Sequence, residues 1–388
     1  MTFLPVTNVN AAIQDGHHVD AFRRLRTSTP FTLFESQLTT TQQDLLWETI
    51  VTGAGTTTYL QEQAALLLEV TNVGDEVIRQ TYEYIRYQPG KSQLVLMTGV
   101  LGDSPNVVSN IGYGDDSNGL FFRNNQGTPE LVIRSSATGA FQETVIPYDD
   151  WDETPEIDFT KTQIFVIDFE WLGVGRVRFG FDLGTEVVYV HESINQNIKE
   201  EVYMGTANLP ARYDIKSISG VGTLKQICTS ILSEGGYEQK GIIRSVDLDT
   251  TSKSVGTSFT PIISIRLNPN TPHAQILPEG VSIIQTSNNS TLLYKVMVNC
   301  ELTGDSWQDI DSNSITQYDT SASNCSGGYQ IDSDYIQPRV SGTVAVDFNN
   351  MPPLSSKYDG TPIILTIMAK TDSGTAPVFG GITFRELL

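Results

Sequence analysis

The chain has 388 residues, with 24 Lys plus Arg against 45 Asp plus Glu and a formal net charge of -21. That charge repels phosphate backbones and excludes nucleic acid as a natural partner, and no apolar run approaches the ~20 residues of a membrane-spanning helix. One hydrophobic core seldom grows past about 250–300 residues, so two domains are expected.

The start, MTFLPVTNVNAAIQDGHH, has no basic segment followed by an apolar core, so no secretory leader is expected, and synthesis and initial folding are expected in a reducing cytoplasm. Residues 1–33 read as an extended polar arm carrying the basic cluster Arg23, Arg24 and Arg26. Such an arm suits docking onto an acidic neighbour, a second copy of the chain included. TTTQQDLLWETI then fits a helix capped by Thr41, with Leu45, Leu46 and Ile50 at helical spacing, and equally an extended lead into the first strand.

From Thr57 onward, runs rich in Val, Ile, Thr, Tyr and Leu recur between Gly, Asn, Asp and Pro: ALLLEVT, EVIRQTYEYIRYQ, SQLVLMTGVL, GLFFRN, ELVIRSS and TQIFVIDFEW. This is an all-β rhythm. In EVIRQTYEYIRYQ both faces of the alternation are mixed, so the stretch from Tyr82 to Tyr87 reads as a strand lying beside another subunit. Glycines and polar residues crowd together in ILSEGGYEQKGIIRSVDLDTTSKS, after which TPIISIRLNP, GVSIIQTS, STLLYKVMVNC, GTVAVDF, PIILTIMAKT and GGITFREL supply a second set of strands. The expected architecture is an antiparallel jelly-roll sandwich of the concanavalin type over residues 34–240, followed by a second β-sandwich over 241–388.

The densest charge pattern lies in KTQIFVIDFEWLGVGRVRFGFDLGTEVVYVHE, residues 161–192. Phe165, Ile167, Phe169 and Trp171 alternate with Ile164, Val166, Asp168 and Glu170, which gives one apolar face and one that turns acidic. A three-residue loop at Leu172, Gly173 and Val174 sets Asp168 opposite Arg178 and Glu170 opposite Arg176. A one-residue slip loses both ion pairs and buries an arginine, so the paired register is expected, as a charge ladder. The strand EVVYVH brings Tyr189 and His191 toward the same row. With Trp171 they form a candidate platform for a sugar ring or an interface.

Carboxylates two residues apart on one sheet face lie about 7 Å apart, close to a glycosidase pair. VIDFE resembles the E-x-D-x-E strand of laminarinase-like glycoside hydrolases, but Val166 stands where that family has its nucleophile. No catalytic residue is therefore assigned. Asp115, Asp116 and Asn118 in GYGDDSNGLFF offer oxygens for calcium, yet Asn118-Gly119 is a tight-turn signal, and turn is the expectation. His17, His18, His191 and His273 make no metal set, and no nucleotide fingerprint is present, so neither metal nor cofactor is expected. Cys228, Cys300 and Cys325 show no metal spacing; Cys300 and Cys325 could pair, but a disulfide framework is not expected.

The segments AFRRLRTSTPFTLFESQ, YIRYQPGKSQLVLMTGVLG, DDSNGLFFR, KTQIFVIDFEWLGVGRVRFGF, YMGTANLPARYDI and ILSEGGYEQKG together resemble a family of virion structural proteins of tailed bacteriophages, cyanophages and other viruses of aquatic microbes. The resemblance spans about residues 20–245. It implies a non-enzymatic particle component: a capsid decoration, head fibre or tail-associated protein that contacts other virion proteins and further copies of itself. A lectin-like module that attaches to a host-surface glycan is the alternative.

Overall fold

The computed structural model describes residues 29–238, 240–286, 290–338 and 353–387. The basic arm with Arg23, Arg24 and Arg26, and the expected strand GTVAVDF, lie outside the described residues. Within them the chain is built from antiparallel strands, and its helices are single 3-10 turns at Gln61–Gln63 and Tyr148–Asp150. No helix among the described residues is long and apolar enough to cross a membrane.

The first sandwich has two sheets. One runs, in spatial order, β13 (Val187–Ser193), β12 (Val177–Asp182), β11 (Gln163–Phe169), β6 (Gln93–Val100), β15 (Gly222–Ser233), β4 (Ala65–Val70) and β3 (Thr56–Leu60), with β1 (Phe31–Gln37) also on β15. The other runs β10 (Gln142–Pro147), β9 (Thr128–Ser135), β8 (Gly119–Asn125), β7 (Val107–Gly114), β14 (Ala211–Ser217), β5 (Glu76–Thr81) and β2 (Trp47–Thr52). Neighbours far apart in sequence, such as β6 beside β15 and β7 beside β14, give the jelly-roll character.

Alternation drives the stacking. Phe165 of β11 and Phe179 and Phe181 of β12 point inward and meet Phe122 of β8 in the facing sheet, at ring-centroid distances of 5.1, 5.5 and 5.0 Å. All four rings are at most 1% exposed, and each such burial contributes about 1.5–3 kcal/mol.

A second core forms between a four-stranded and a six-stranded sheet. The four-stranded sheet holds β16 (Ile242–Asp247), β17 (Lys253–Val255), β19 (Gln275–Gln285) and β27 (Ala376–Leu387). The six-stranded sheet runs β22 (Gln308–Asp309), β23 (Thr316–Asp319), β18 (Thr260–Leu267), β26 (Leu365–Thr371), β20 (Leu292–Val298) and β25 (Tyr329–Ile336). A small ribbon of β21 (Glu301–Thr303) and β24 (Asn324–Ser326) stands apart from both.

Two local expectations change. TTTQQDLLWETI is not helical: the chain turns, Leu46 and Trp47 both donate to the Gln43 carbonyl, and β2 begins at Trp47. The Thr41 hydroxyl accepts from the Gln43 N–H at 3.2 Å, so the expected helix cap serves a turn instead.

EVIRQTYEYIRYQ is a strand only to Thr81. Beyond it the chain leaves the ladder: Ile85 and Tyr87 stay in the first core, while Tyr84 docks onto the second sandwich of the same chain. The Tyr84 N–H donates to Ser355 Oγ at 3.2 Å, and Gln275 Nε2 donates to the Tyr84 carbonyl at 2.5 Å. Tyr84 also meets His273 edge-on at 5.3 Å. Nearby, the Tyr358 N–H donates to Glu48 at 2.7 Å and its hydroxyl to Asp116 at 2.8 Å. Part of the mixed character of this stretch thus serves an internal junction.

Candidate functional site

The site grows from the β11–β12 hairpin. The Gly175 N–H donates to the Trp171 carbonyl at 2.8 Å and the Glu170 N–H to the Arg176 carbonyl at 3.0 Å, which makes Leu172, Gly173 and Val174 the loop. Leu172 and Gly173 take φ of 34° and 82°, and the second is why a glycine stands there. The ladder that follows sets Phe169 opposite Val177, Asp168 opposite Arg178 and Ile167 opposite Phe179.

On the face turned away from the core, Asp168 is 6% exposed and accepts from three donors. These are Ser92 Oγ at 2.7 Å, the Arg178 guanidinium, and the Tyr189 hydroxyl at 3.4 Å. Burial alone would lower the Arg178 pKa, but the hydrogen bond and charge of Asp168 outweigh it and raise the group above its ordinary value. Burial, and then the Asp168 charge, push the Tyr189 hydroxyl up.

The other expected rung is different. Glu170 lies across from Arg176 in the backbone ladder, yet the Arg176 side chain pairs with Glu192 at 3.3 Å rather than with Glu170. Glu192 occupies the β13 position opposite Arg178 and so competes for the row. Glu170 stays exposed.

Sequence reasoning grouped Trp171, Tyr189 and His191, and the structure separates them. The Trp171 Nε1–H donates to the Met204 carbonyl at 3.1 Å, and its ring packs edge-on against Tyr87 at 6.3 Å, which anchors it in the first core. Tyr189 stays in the row opposite Gly180, but the Arg178 guanidinium sits 4.1 Å from its ring centroid and covers one face. A bulge at Val190 breaks the period-two alternation and puts His191 opposite Phe179, on the other face of the sheet. There its Nδ1 lies 3.4 Å from Asp152.

What remains is an open cleft of about 410 Å³ lined by Ser92, Asp168, Glu170, Arg176, Arg178 and Glu192, with Gln196 beside them. Ser92, Glu192 and Gln196 were missed by sequence reasoning. Glu192 was within reach, since allowing one bulge in EVVYVHES brings it beside the arginines. Ser92, on the approach to β6, carries no local signal. The cleft presents alternating donors and acceptors, suited to hydroxyl groups or to charged side chains of a partner. Val166 is an apolar residue 1% exposed.

The second candidate is a turn. Asp115 Oδ1 accepts from the Ser117 and Asn118 N–H groups at 2.8 Å each, and Asp116 pairs with Arg212 at 2.7 Å. Those oxygens already have partners. Among the described residues no group of three or more His, Cys, Asp or Glu side chains is arranged to hold a metal ion.

No protein-family model matches the chain, and no curated protein matches its sequence. Among solved structures it is similar to the CBM2 module of the evolved Dit of Lactobacillus casei BL23 phage J-1, at 7% identity and a TM-score of 0.37 over 55% of this chain and 100% of that one. It is also similar to SCLam, a non-specific endo-β-1,3(4)-glucanase of family GH16, at 10% identity and a TM-score of 0.34 over 54% of this chain and 92% of that one. A third is the Bacillus licheniformis β-glucanase, at 10% identity and a TM-score of 0.31 over 54% of this chain and 99% of that one. These similarities concern the β-sandwich fold alone.

Proposed function

We propose that the chain is a non-enzymatic structural component of a viral particle that acts through contacts with other virion proteins and with further copies of itself. The observation that carries this reading is the junction: Tyr84 and Tyr358 are each hydrogen-bonded across it. Together with the Arg212 guanidinium 5.7 Å from the Tyr358 ring centroid, these bonds join the two sandwiches. Two joined all-β sandwiches offer a broad surface for contacts with neighbours; hydrolysis on the laminarinase pattern would call for a nucleophile where the chain has Val166. The family resemblance of residues 20–245 supports the same reading. Mass spectrometry of purified particles, with immunogold labelling, tests it. Recovery of the chain with the particles is expected, and recovery from the infected lysate but not from particles would overturn it.

A second reading, attachment to a host glycan, is favoured by one observation. The cleft gathers Glu170, Arg176, Arg178 and Glu192, planar polar side chains suited to adjacent sugar hydroxyls. With Trp171 and His191 turned elsewhere, recognition would rest on hydrogen bonds more than on stacking. A glycan array probed with the wild type and with Arg176→Ala decides it: a signal lost in the variant supports binding in the cleft, and a blank wild-type array discards it.

A further inference from the structure

Cys300 and Cys325 share one small cluster at the edge of the second sandwich. Cys300 is 4% exposed and packs with the buried Met297 and Met368, while Leu302 and the partly exposed Cys325 close over them. Leu302 pairs with Cys325 across the β21–β24 ribbon, and Cys300 precedes Leu302 by two positions, so both sulfurs lie on one face of the ribbon. The main chains are also pressed together beyond it, since a Cβ at Gly328 would lie 2.8 Å from the Cys300 nitrogen. The two side chains lie within hydrogen-bonding reach of each other in this one cluster, so only a small shift separates the thiols from a disulfide.

We infer that Cys300 and Cys325 form a dithiol that an external low-molecular-weight disulfide converts into a disulfide bond, stapling the β21–β24 ribbon to the second sandwich. Both thiols are free in this structure. Their mutual hydrogen bond is the main reason that the Cys300 thiol lies at about 7, below its ordinary value. The Lys295 ammonium favours the same thiolate.

The exchange balances as follows. Cys300 starts as the thiolate and takes the proton of Cys325, whose more accessible sulfur then attacks one sulfur of the external disulfide. The external S–S bond breaks, one thiolate leaves, and a mixed disulfide stands on Cys325. Cys300 then attacks the Cys325 sulfur, its proton leaves with the second small thiol, and the protein disulfide is complete. Two protein thiols are oxidised and the external disulfide is reduced to two thiols. The reducing compartment of synthesis keeps the pair open, and release into an oxidising medium closes it.

Incubating the wild-type chain with oxidised glutathione, then counting free thiols after denaturation and mapping non-reduced peptides, tests the inference. One of the three thiols, Cys228, should remain titratable, with the peptides of Cys300 and Cys325 linked to each other. The melting temperature should rise above that of the reduced chain, and Cys325→Ser should abolish the rise while Cys228→Ser leaves it. Three free thiols, a stable glutathione adduct on Cys325 without closure, or a link that includes Cys228 would each overturn it. The wild-type readout holds even where a variant fails to fold.

Discussion

At the scale of single residues, Asp168 shows how period-two reasoning succeeds and where it stops. Its pairing with Arg178 was legible because loop length and alternation fix register together, and a slip would have buried an arginine. Its other donors, Ser92 and Tyr189, come from strands whose placement no local pattern states. Asp168→Ala should therefore cost about 1–3 kcal/mol, since it strands donors that are partly withdrawn from water. In a double-mutant cycle with Arg178→Ala, read by urea denaturation, a coupling of about 1 kcal/mol is expected, and strict additivity would remove the pair from the account. Exchanging the two charges should recover only the ion-pair part, because a guanidinium at position 168 would face the Ser92 and Tyr189 donors.

Glu83 gives a prediction of opposite sign. Burial at the junction raises its carboxyl to about 7 from the ordinary 4.5, against the smaller effect of its hydrogen bond from Gln275 at 3.3 Å. The folded chain thus holds this proton more tightly than the unfolded one. Stability from this group is full below about 4.5 and is lost as pH rises through about 7. Glu83→Gln, which fixes the neutral form, should melt a few degrees above the wild type at pH 8 and level with it at pH 4.5, by differential scanning calorimetry. A pH-independent difference would exclude ionisation of Glu83 as the cause.

At the scale of elements, the β11–β12–β13 meander shows two different glycine requirements. A Cβ at Gly175 would sit 2.3 Å from the Glu170 carbonyl, a collision with backbone that cannot step aside. At Gly184, in the next turn, φ is 83° but the space is open. Gly175→Ala should therefore cost about 1–3 kcal/mol by overpacking. Gly184→Ala should cost about 1 kcal/mol, the conformational penalty alone. Equal losses in denaturant titrations would contradict the steric argument.

The expected strand through residues 82–88 failed for a reason of the same scale. Thr81 Oγ1 donates to the Glu83 carbonyl at 2.8 Å and turns the chain out of the ladder. Alternating Tyr, Ile and Arg fits a strand and an extended docking segment equally well. His191 was misread because a bulge adds one residue without any composition signal.

At the scale of the whole molecule, composition suggests two sets of strands, and the buried residues form two large hydrophobic clusters, one ending at Ile231 and the other beginning at Val246. The junction between them was invisible because its partners are remote in sequence: Glu48 with Tyr358, Tyr84 with Ser355, Asn208 with the His273 carbonyl at 3.2 Å. Each of those bonds joins a residue of one sandwich to a residue of the other, and Tyr82 packs against the second core, so the two cores are coupled. Coupled cores unfold together only while the bonds between them outweigh the difference in their separate stabilities. Calorimetry of the wild type should accordingly show one transition. Tyr358→Ala combined with Gln275→Ala removes the side-chain bonds to Asp116 and Tyr84, together with the Arg212 contact on the Tyr358 ring, without touching the interior of either core, and should split that transition into two. A single peak that shifts down as a unit would mean that the sandwiches are held by apolar contact around Tyr82 and Leu354 instead, and Tyr82→Ala would then be the variant that divides them.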